Sequence, residues 1–349
     1  MSRSDRLVTL VEAAISRLDE GDVEGAEQKL AQAARIDPQH PDVLSVQATI
    51  SAIDGDLERA VELVAKAVER APEDVSILIN AADLSLLIDP EAALGYAQRA
   101  AERVEEEDEL IASVMIIAEA NIALERPAAA REALGELASA VIDDPATILD
   151  VAHAHLGAED PTTAELWLRR LTSSDAGDPG GDNGAADAAA DAWHAIGQCR
   201  EAKGDRDGMI AAWLEARRRD AALPPSPLAL TDDELEAIVT AALEELPGEV
   251  HTHLANVPIL VDDLPAEHLV KDGWDPRLLG LFEGTPLPEQ SAVGGVPSIT
   301  TIHLYKTNLE RYVGDDKQAL ADEIRITVLH ETAHYFGLDD DDLAKLGLD

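Results

Sequence analysis

Small and apolar residues recur along the first part of the chain with a period of 34 residues. Gly21-Asp22 is repeated as Gly55-Asp56, and the same offset joins Ala26 to Ala60, Ala33 to Ala67, and Pro38 to Pro72. A period of this length fits one unit of two helices and their turns. Small residues suit places where helices cross closely, and a proline suits a helix end. The pattern therefore predicts a repeated helical unit along the first part of the chain.

A later segment carries the same pattern in a fuller form. Residues 193–197 (WHAIG) are followed by Gly204-Asp205 at an expected turn and by Ala216 at an expected helix crossing. Between Ala81 and Leu171 the period is weaker, but segments 110–124 and 127–141 still have the apolar spacing of amphipathic helices. We therefore expect an all-α array over the first two-thirds of the chain.

This pattern resembles the tetratricopeptide repeat (TPR) over roughly residues 5–222. The resemblance implies pairs of antiparallel helices, several of which are needed because one pair cannot bury its own apolar face. About five or six pairs fit the length of this region. It also implies a concave groove that binds a peptide or a protein. The alternative is an array that only stiffens or dimerises the molecule.

Two segments interrupt the helical pattern. Residues 173–188 (SSDAGDPGGDNGAADA) are rich in Gly, Asp and Ala, which is typical of a flexible insertion. Residues 223–230 (LPPSPLAL) are rich in proline, which is typical of a linker. The predicted organisation is therefore a repeat array over 1–222 and a second domain over 231–349.

The second domain mixes helical and strand patterns. A helix is expected from Thr231 to the Pro247-Gly248 pair, and a longer one over 317–336. Short apolar or β-branched runs at 257–261, 278–282 and 299–306 predict three strands. This order predicts a small α+β domain with helices on one side of a sheet.

The long second helix carries the motif His330-Glu331-Thr332-Ala333-His334. Residues four apart lie on one face of a helix, so both imidazoles can bind one zinc ion. Glu331 is then the expected general base, which takes a proton from a zinc-bound water.

A third zinc ligand is expected shortly after the motif. Gly337 is placed where a helix can end and the chain can reverse, and Asp340 follows it by three residues. Asp340 is the preferred ligand, and its neighbours Asp339, Asp341 and Asp342 are the alternatives. The other interpretation of this acidic run is a solvated surface or a helix cap.

The spacing H-E-x-x-H-x-x-G-x-x-D resembles the metzincin signature, with Asp in the place of the third ligand. No glutamate follows Glu331, and the sequence after the motif has no methionine turn. Residues 231–349 as a whole resemble a bacterial family of minimal zincin-like metallopeptidases, through the segments 279–284 (LGLFEG), 302–306 (IHLYK), 323–325 (EIR) and 330–338 (HETAHYFGL). The resemblance implies a metzincin-like half-domain with zinc at the end of its active-site helix.

Net charge and cysteine content exclude several functional classes. The formal net charge of -43 repels phosphate backbones and anionic lipids, so neither nucleic acid nor a membrane is an expected partner. A single cysteine, Cys199, excludes a disulfide framework. The first ten residues lack an apolar signal region, and we expect a cytoplasmic protein.

Two functions remain open at this point. The first is a zinc-dependent peptidase that recruits a protein through the array, with substrate adding to an edge of the 299–306 strand. The second is a non-catalytic interaction scaffold with a structural or vestigial zinc site.

Overall fold

The computed structural model describes most of the chain, namely residues 2–172, 183–226, 230–244, 254, 257–287, 300–314 and 316–339. The chain divides into two compact units, Met1–Arg170 and Leu171–Asp349.

The first unit is built from helix pairs. Its helices are α1 (Arg3–Asp19), α2 (Val23–Ala34), α3 (Pro41–Ile53), α4 (Leu57–Arg70), α5 (Val75–Leu86), α6 (Pro90–Ala101), α7 (Glu107–Ala123), α8 (Pro127–Leu134), α9 (Pro145–Gly157) and α10 (Pro161–Thr172), the last of which reaches the boundary between the units. The second helix of each pair places a fully buried alanine at the crossing: Ala26, Ala60, Ala93, Ala130 and Ala164. Because alanine has no side chain beyond Cβ, the two helices of a pair can approach closely.

The turns within the pairs explain why the period weakens in the sequence. Gly21 and Gly55 have positive φ angles of 76° and 84° before the second helix, and Glu125 and Glu159 take the same left-handed conformation at 56° and 59°. Glycine suits this conformation best, but the architecture holds it in the later turns without glycine. The repeat therefore continues structurally through the middle of the unit.

An aspartate caps the second helix after several of these turns. Each accepts a hydrogen bond from a backbone N–H in the first turn, and the bonds from Gly25, Arg59 and Thr163 to Asp22, Asp56 and Asp160 measure 2.9, 3.1 and 3.1 Å.

The helix predicted over 127–141 is shorter in the structure. It ends at Leu134, and a 3₁₀ segment, Gly135–Ser139, follows; glycine and serine are weaker helix formers than alanine or leucine.

The second unit starts with one more helix pair and continues into an α+β domain. Its elements are α11 (Asn183–Ala202), α12 (Arg206–Asp220), α13 (Asp232–Glu244), β1 (Ile259–Asp262), α14 (Glu267–Asp272), β2 (Gly280–Glu283), β3 (Thr301–Tyr305), α15 (Lys306–Val313) and α16 (Lys317–Tyr335). The three expected strands and the long helix are confirmed. Residues 183–188, expected in the insertion, form the first turns of α11, whereas residues 173–182 lie outside the described part.

The sheet has the strand order β1-β3-β2, so β3 is central. β1 pairs with β3 in parallel, and β2 pairs with β3 antiparallel. Ile302 and Leu304 of β3 are fully buried on the face that packs against the helices, together with Leu320, Ile324 and Val328 of α16. The expectation that substrate adds to an edge of the 299–306 strand is wrong, because both edges of β3 are already paired.

Paired charges connect the last helix pair to the α+β domain. Arg277 binds both carboxylate oxygens of Asp220, at 3.0 and 3.1 Å, and Asp191 at 2.7 Å. Arg311 of α15 binds the same two aspartates, at 2.8 and 2.6 Å. The Asp220 side chain is only 2% exposed, so these bonds satisfy a buried charge. Helices α11 and α12 are thus an integral part of the second unit.

Candidate metal centre

Helix α16 brings the histidines of the motif to its C-terminal end. Asp316 caps the helix by accepting hydrogen bonds from the backbone N–H groups of Gln318 and Ala319, at 2.8 and 3.1 Å. The apolar residues of the middle turns pack on the sheet. Because the buried face is fixed there, the residues of the last two turns have fixed directions too.

The helix ends in a Schellman motif at Gly337. Gly337 has a φ of 85°, its N–H donates to the carbonyl of His334 at 3.0 Å, and the Leu338 N–H donates to Ala333 at 3.1 Å. This is the 5→2 and 6→1 bond pattern that ends helices at a left-handed residue. The expected reversal at Gly337 is confirmed, and it returns the carbonyl of Leu338 to the motif.

The two histidines of the motif face one another. Their Nε2 atoms are 3.0 Å apart, and the ring centroids are 4.7 Å apart at 80°. His334 Nδ1 lies 2.9 Å from the Leu338 carbonyl oxygen. In the tautomer whose Nδ1 donates to Leu338, the Nε2 lone pair points to the space shared with His330.

This donor pair fits a zinc ion. Two nitrogen ligands on one tetrahedral zinc lie about 3.3 Å apart, given zinc–nitrogen distances of about 2.0–2.1 Å. Across the part of the chain that the structure describes, no group of three or more His, Cys, Asp or Glu side chains is arranged to hold a metal. Asp340, Asp341 and Asp342 lie outside the described residues, and Asp339 is exposed.

Glu331 points toward the sheet and is 7% exposed. Strand β2 approaches it closely at Gly280. A Cβ atom at Gly280 would lie 2.7 Å from Thr327 Cγ2, 2.9 Å from Glu331 Cγ and 3.0 Å from Glu331 Oε1. The absence of a side chain at Gly280 therefore allows the first residue of β2 to lie directly against the glutamate. In the sequence this residue stands out only as part of the segment 279–284.

Tyr305, at the end of β3, is 1% exposed, and its hydroxyl has no hydrogen-bond partner within the described residues. Burial, with the nearby carboxylates Asp262, Glu283 and Glu331, raises the pKa of Tyr305 well above its usual range. The phenol is thus neutral at physiological pH. Tyr305 also stacks on His303, with ring centroids 6.3 Å apart at 17°.

Two other polar aromatic residues of the domain, His303 and Tyr335, have structural partners. His303 Nδ1 lies 2.9 Å from Asp262 on the sheet face opposite the helices. Tyr335 is 5% exposed, and its ring packs on Phe282 with a centroid distance of 6.0 Å. Neither residue approaches the paired Nε2 atoms in the described contacts.

Residues 254–348 match the family model of the zincin-like metallopeptidases. The comparison with curated proteins gives no match.

Among solved structures, the helical N-terminal region is similar to several repeat proteins. The crystal structure of PilW, described as a widely conserved type IV pilus biogenesis factor, has 14% identity and a TM-score of 0.50, and the match covers 61% of this chain and 92% of that one. PilF of Pseudomonas aeruginosa has 18% identity and a TM-score of 0.49, over 62% and 92% of the two chains. YrrB, described as a TPR protein with an unusual peptide-binding site, has 16% identity and a TM-score of 0.40, over 54% and 91%.

The similarity to PilW concerns the fold alone. No helix among the described residues is long and apolar enough to cross a membrane. The chain therefore joins a TPR-like helical array to a C-terminal segment, residues 254–348, that matches the zincin-like metallopeptidase family.

Proposed function

We propose that this protein is a zinc-dependent peptidase whose helical array recruits a protein substrate or partner. The observation that carries the proposal is the pair of Nε2 atoms of His330 and His334, 3.0 Å apart beside the buried Glu331. They lie in a segment that matches a metallopeptidase family.

His330 and His334 would hold the zinc ion, with Asp340 as the third protein ligand. The Schellman motif supports this assignment, because the chain reverses at Gly337 and Asp340 follows three residues later. When bound, zinc would polarise the scissile carbonyl and make hydroxide available near neutral pH.

Glu331 would act as the general base and then as the acid. It takes a proton from the attacking water and delivers it to the leaving amine. Its burial supports this role, because few competing waters reach a side chain that is 7% exposed. The close approach of Gly280 restricts where the carboxylate can lie.

A substrate strand would pair with β2 (Gly280–Glu283). Within the described residues this strand pairs only with β3, and no other described strand occupies its second edge. Its first residue, Gly280, touches Glu331. Strand addition there would bring a peptide carbonyl close to the base.

Zinc content and peptide hydrolysis, measured on the same preparations, test the proposal. Wild type and Glu331→Gln should each hold one zinc per chain, whereas His334→Ala and Asp340→Ala should lose most of it. Hydrolysis of a peptide library should be lost in Glu331→Gln and kept in Glu323→Gln, the same change about two turns earlier on α16. Full zinc occupancy without turnover in wild type would establish the alternative, a non-catalytic scaffold with a structural zinc site. The cytoplasmic location stays a prediction.

A further inference from the structure

The first unit contains a groove that is lined by acidic and apolar residues. It encloses about 790 Å³, and α5, α7 and α9 supply most of its wall. These are the first helices of three successive pairs, so the groove crosses the repeats rather than following one helix.

Negative charge dominates this groove. No lysine or arginine is found among the described residues that line it. Five carboxylates do line it, namely Asp83, Asp108, Glu109, Glu119 and Asp150. Burial raises the pKa of Asp83, and burial followed by the charges of Asp83 and Asp150 raises the pKa of Glu119. The carboxylates therefore repel one another, and no basic side chain among the described lining residues offsets this repulsion.

The wall between these charges is apolar, with one fixed amide. Ile79, Ile111 and Met115 present half-buried side chains to the groove. Asn80 is held by α3, since its Nδ2 donates to the Ser45 hydroxyl at 2.7 Å. A ligand of this groove needs apolar contacts as well as positive charge.

The spacing of the carboxylates favours a peptide with several positive side chains over a single metal ion as the ligand. No group of three or more carboxylates in the described chain converges to hold one metal ion. Asp83, Glu119 and Asp150 instead lie on α5, α7 and α9, one on each helix. Packed helices are about 8–10 Å apart, and an extended peptide in the polyproline II conformation rises about 3.1 Å per residue with three residues per turn, so that every third side chain points to the same side. Positive side chains about three residues apart would match this spacing.

We propose that the groove binds an extended protein segment with lysine or arginine at about every third position and apolar residues between them. This inference rests on the recruiting role of the array in the proposed function and names the chemistry of the recruited segment. Recruitment by charge suits a protein of net charge -43, which attracts cationic chains from a distance.

The test is a binding measurement on full-length Glu331→Gln protein, which needs no turnover. The probe is fluorescein-labelled Lys-Leu-Ser-Lys-Leu-Ser-Lys, followed by anisotropy at low and physiological salt. A peptide with glutamate in place of lysine and a peptide with the three lysines adjacent serve as comparisons. The spaced lysine peptide should bind more tightly than both.

Two charge-matched triple variants locate the binding. Asp83→Asn/Glu119→Gln/Asp150→Asn should weaken binding about tenfold, as expected from three partly exposed ion pairs. Glu27→Gln/Glu58→Gln/Glu69→Gln removes the same charge from exposed positions outside the groove and should change binding less than about twofold. The groove variant should fold, because it relieves repulsion, and its thermal unfolding checks this.

Equal weakening by both triple variants would overturn the inference, since it would show attraction by net charge alone. Equal binding of the spaced and the adjacent lysine peptides would overturn it as well, as would displacement of the peptide by magnesium at constant ionic strength. Failure of the peptidase is distinguishable, since it would leave peptide binding intact. Conversely, wild type and the groove variant could hydrolyse uncharged peptides at equal rates and show no specific binding of the lysine peptide. That result would refute the proposed binding in the groove and leave the proposed peptidase function standing.

Discussion

Gly280→Ala tests whether the close contact between β2 and α16 holds Glu331 in position. An added Cβ would lie 2.7 Å from Thr327 Cγ2 and 2.9 Å from Glu331 Cγ, whereas ordinary contacts begin at 3.4 Å. The threonine methyl must therefore retreat by at least 0.7 Å and the glutamate stem by at least 0.5 Å. Both atoms belong to the same buried face of α16, so the backbone of this helix must take up part of the displacement.

The expected cost has two parts. Overpacking of this kind destabilises a fold by about 1–3 kcal/mol, which corresponds to a fall of about 2–12 °C in melting temperature for a unit of this size. A catalytic group displaced by half an ångström should slow catalysis about tenfold, since about 1 Å can cost about 100-fold. Zinc content should stay at one per chain, because the three atoms nearest to the added Cβ belong to Thr327 and Glu331 and not to the two histidines.

Thermal unfolding and kcat/KM of peptide hydrolysis measure these two parts. Gly95→Ala is the matched control, since a Cβ there meets nothing within 4 Å, and it should be neutral or stabilising by about 0.4–1 kcal/mol. Adding Thr327→Ser to Gly280→Ala removes the shortest contact and should restore part of the stability. Wild-type melting and wild-type kcat/KM in Gly280→Ala would refute the positioning role of this glycine.

Three further substitutions test other parts of the second unit. Asp220→Asn leaves Arg277 and Arg311 with a weaker shared partner and should lower the unfolding free energy by about 2–3 kcal/mol, measured by denaturant titration. Glu234 accepts hydrogen bonds from the Thr231 backbone and the Lys317 ammonium, which lower its pKa to about 2. Its contribution to stability is therefore complete above its usual pKa of 4.5 and is lost as the pH falls toward about 2. The difference in unfolding free energy between wild type and Glu234→Gln should shrink over that range. Tyr305→Phe removes a buried hydroxyl that has no partner among the described residues and should leave the melting temperature unchanged or raise it.

Each of these substitutions has a matched control and a contrary outcome. Asp207→Asn, Glu236→Gln and Tyr312→Phe make the same chemical changes at exposed positions and should each shift stability by less than about 0.5 kcal/mol. A loss in Asp220→Asn no larger than in Asp207→Asn would mean that the arginine pairs contribute nothing. A difference for Glu234→Gln that persists at pH 2 would contradict the lowered pKa. A clear loss of stability in Tyr305→Phe would mean that the hydroxyl has a partner.

The elements that were predicted from the sequence depend on neighbours close in the chain. The turn at Gly204-Asp205 and the end of α16 at Gly337 both involve hydrogen bonds within a few residues. The facing histidines follow from the same local rule, because residues four apart share one helix face. Such features can be read without knowledge of the tertiary fold.

The features that were missed depend on residues far apart in sequence. The central position of β3 is set by its pairing with β1, more than 40 residues earlier, and no pattern within the strand indicates it. The contact of Gly280 with Glu331 and the pairing of Arg277 with Asp220 likewise join separate elements. Helix α15 was missed for a local reason, since it follows β3 directly and no side-chain cap marks its start.

The arginine pairs of the second unit also bear on how its own helix pair, α11 and α12, is covered. A stacked array leaves an uncovered face on its final helix pair, and repeat proteins generally need a polar capping unit there. In this chain, α12 packs Met209 and Trp213 against Val270, while Asp191 and Asp220 receive two arginines from the α+β domain. The metallopeptidase-like domain thus covers a face that α11 and α12 would otherwise leave open. A fragment that ends at residue 222 would expose this apolar, negatively charged face. Such a fragment should therefore be less soluble than the full chain.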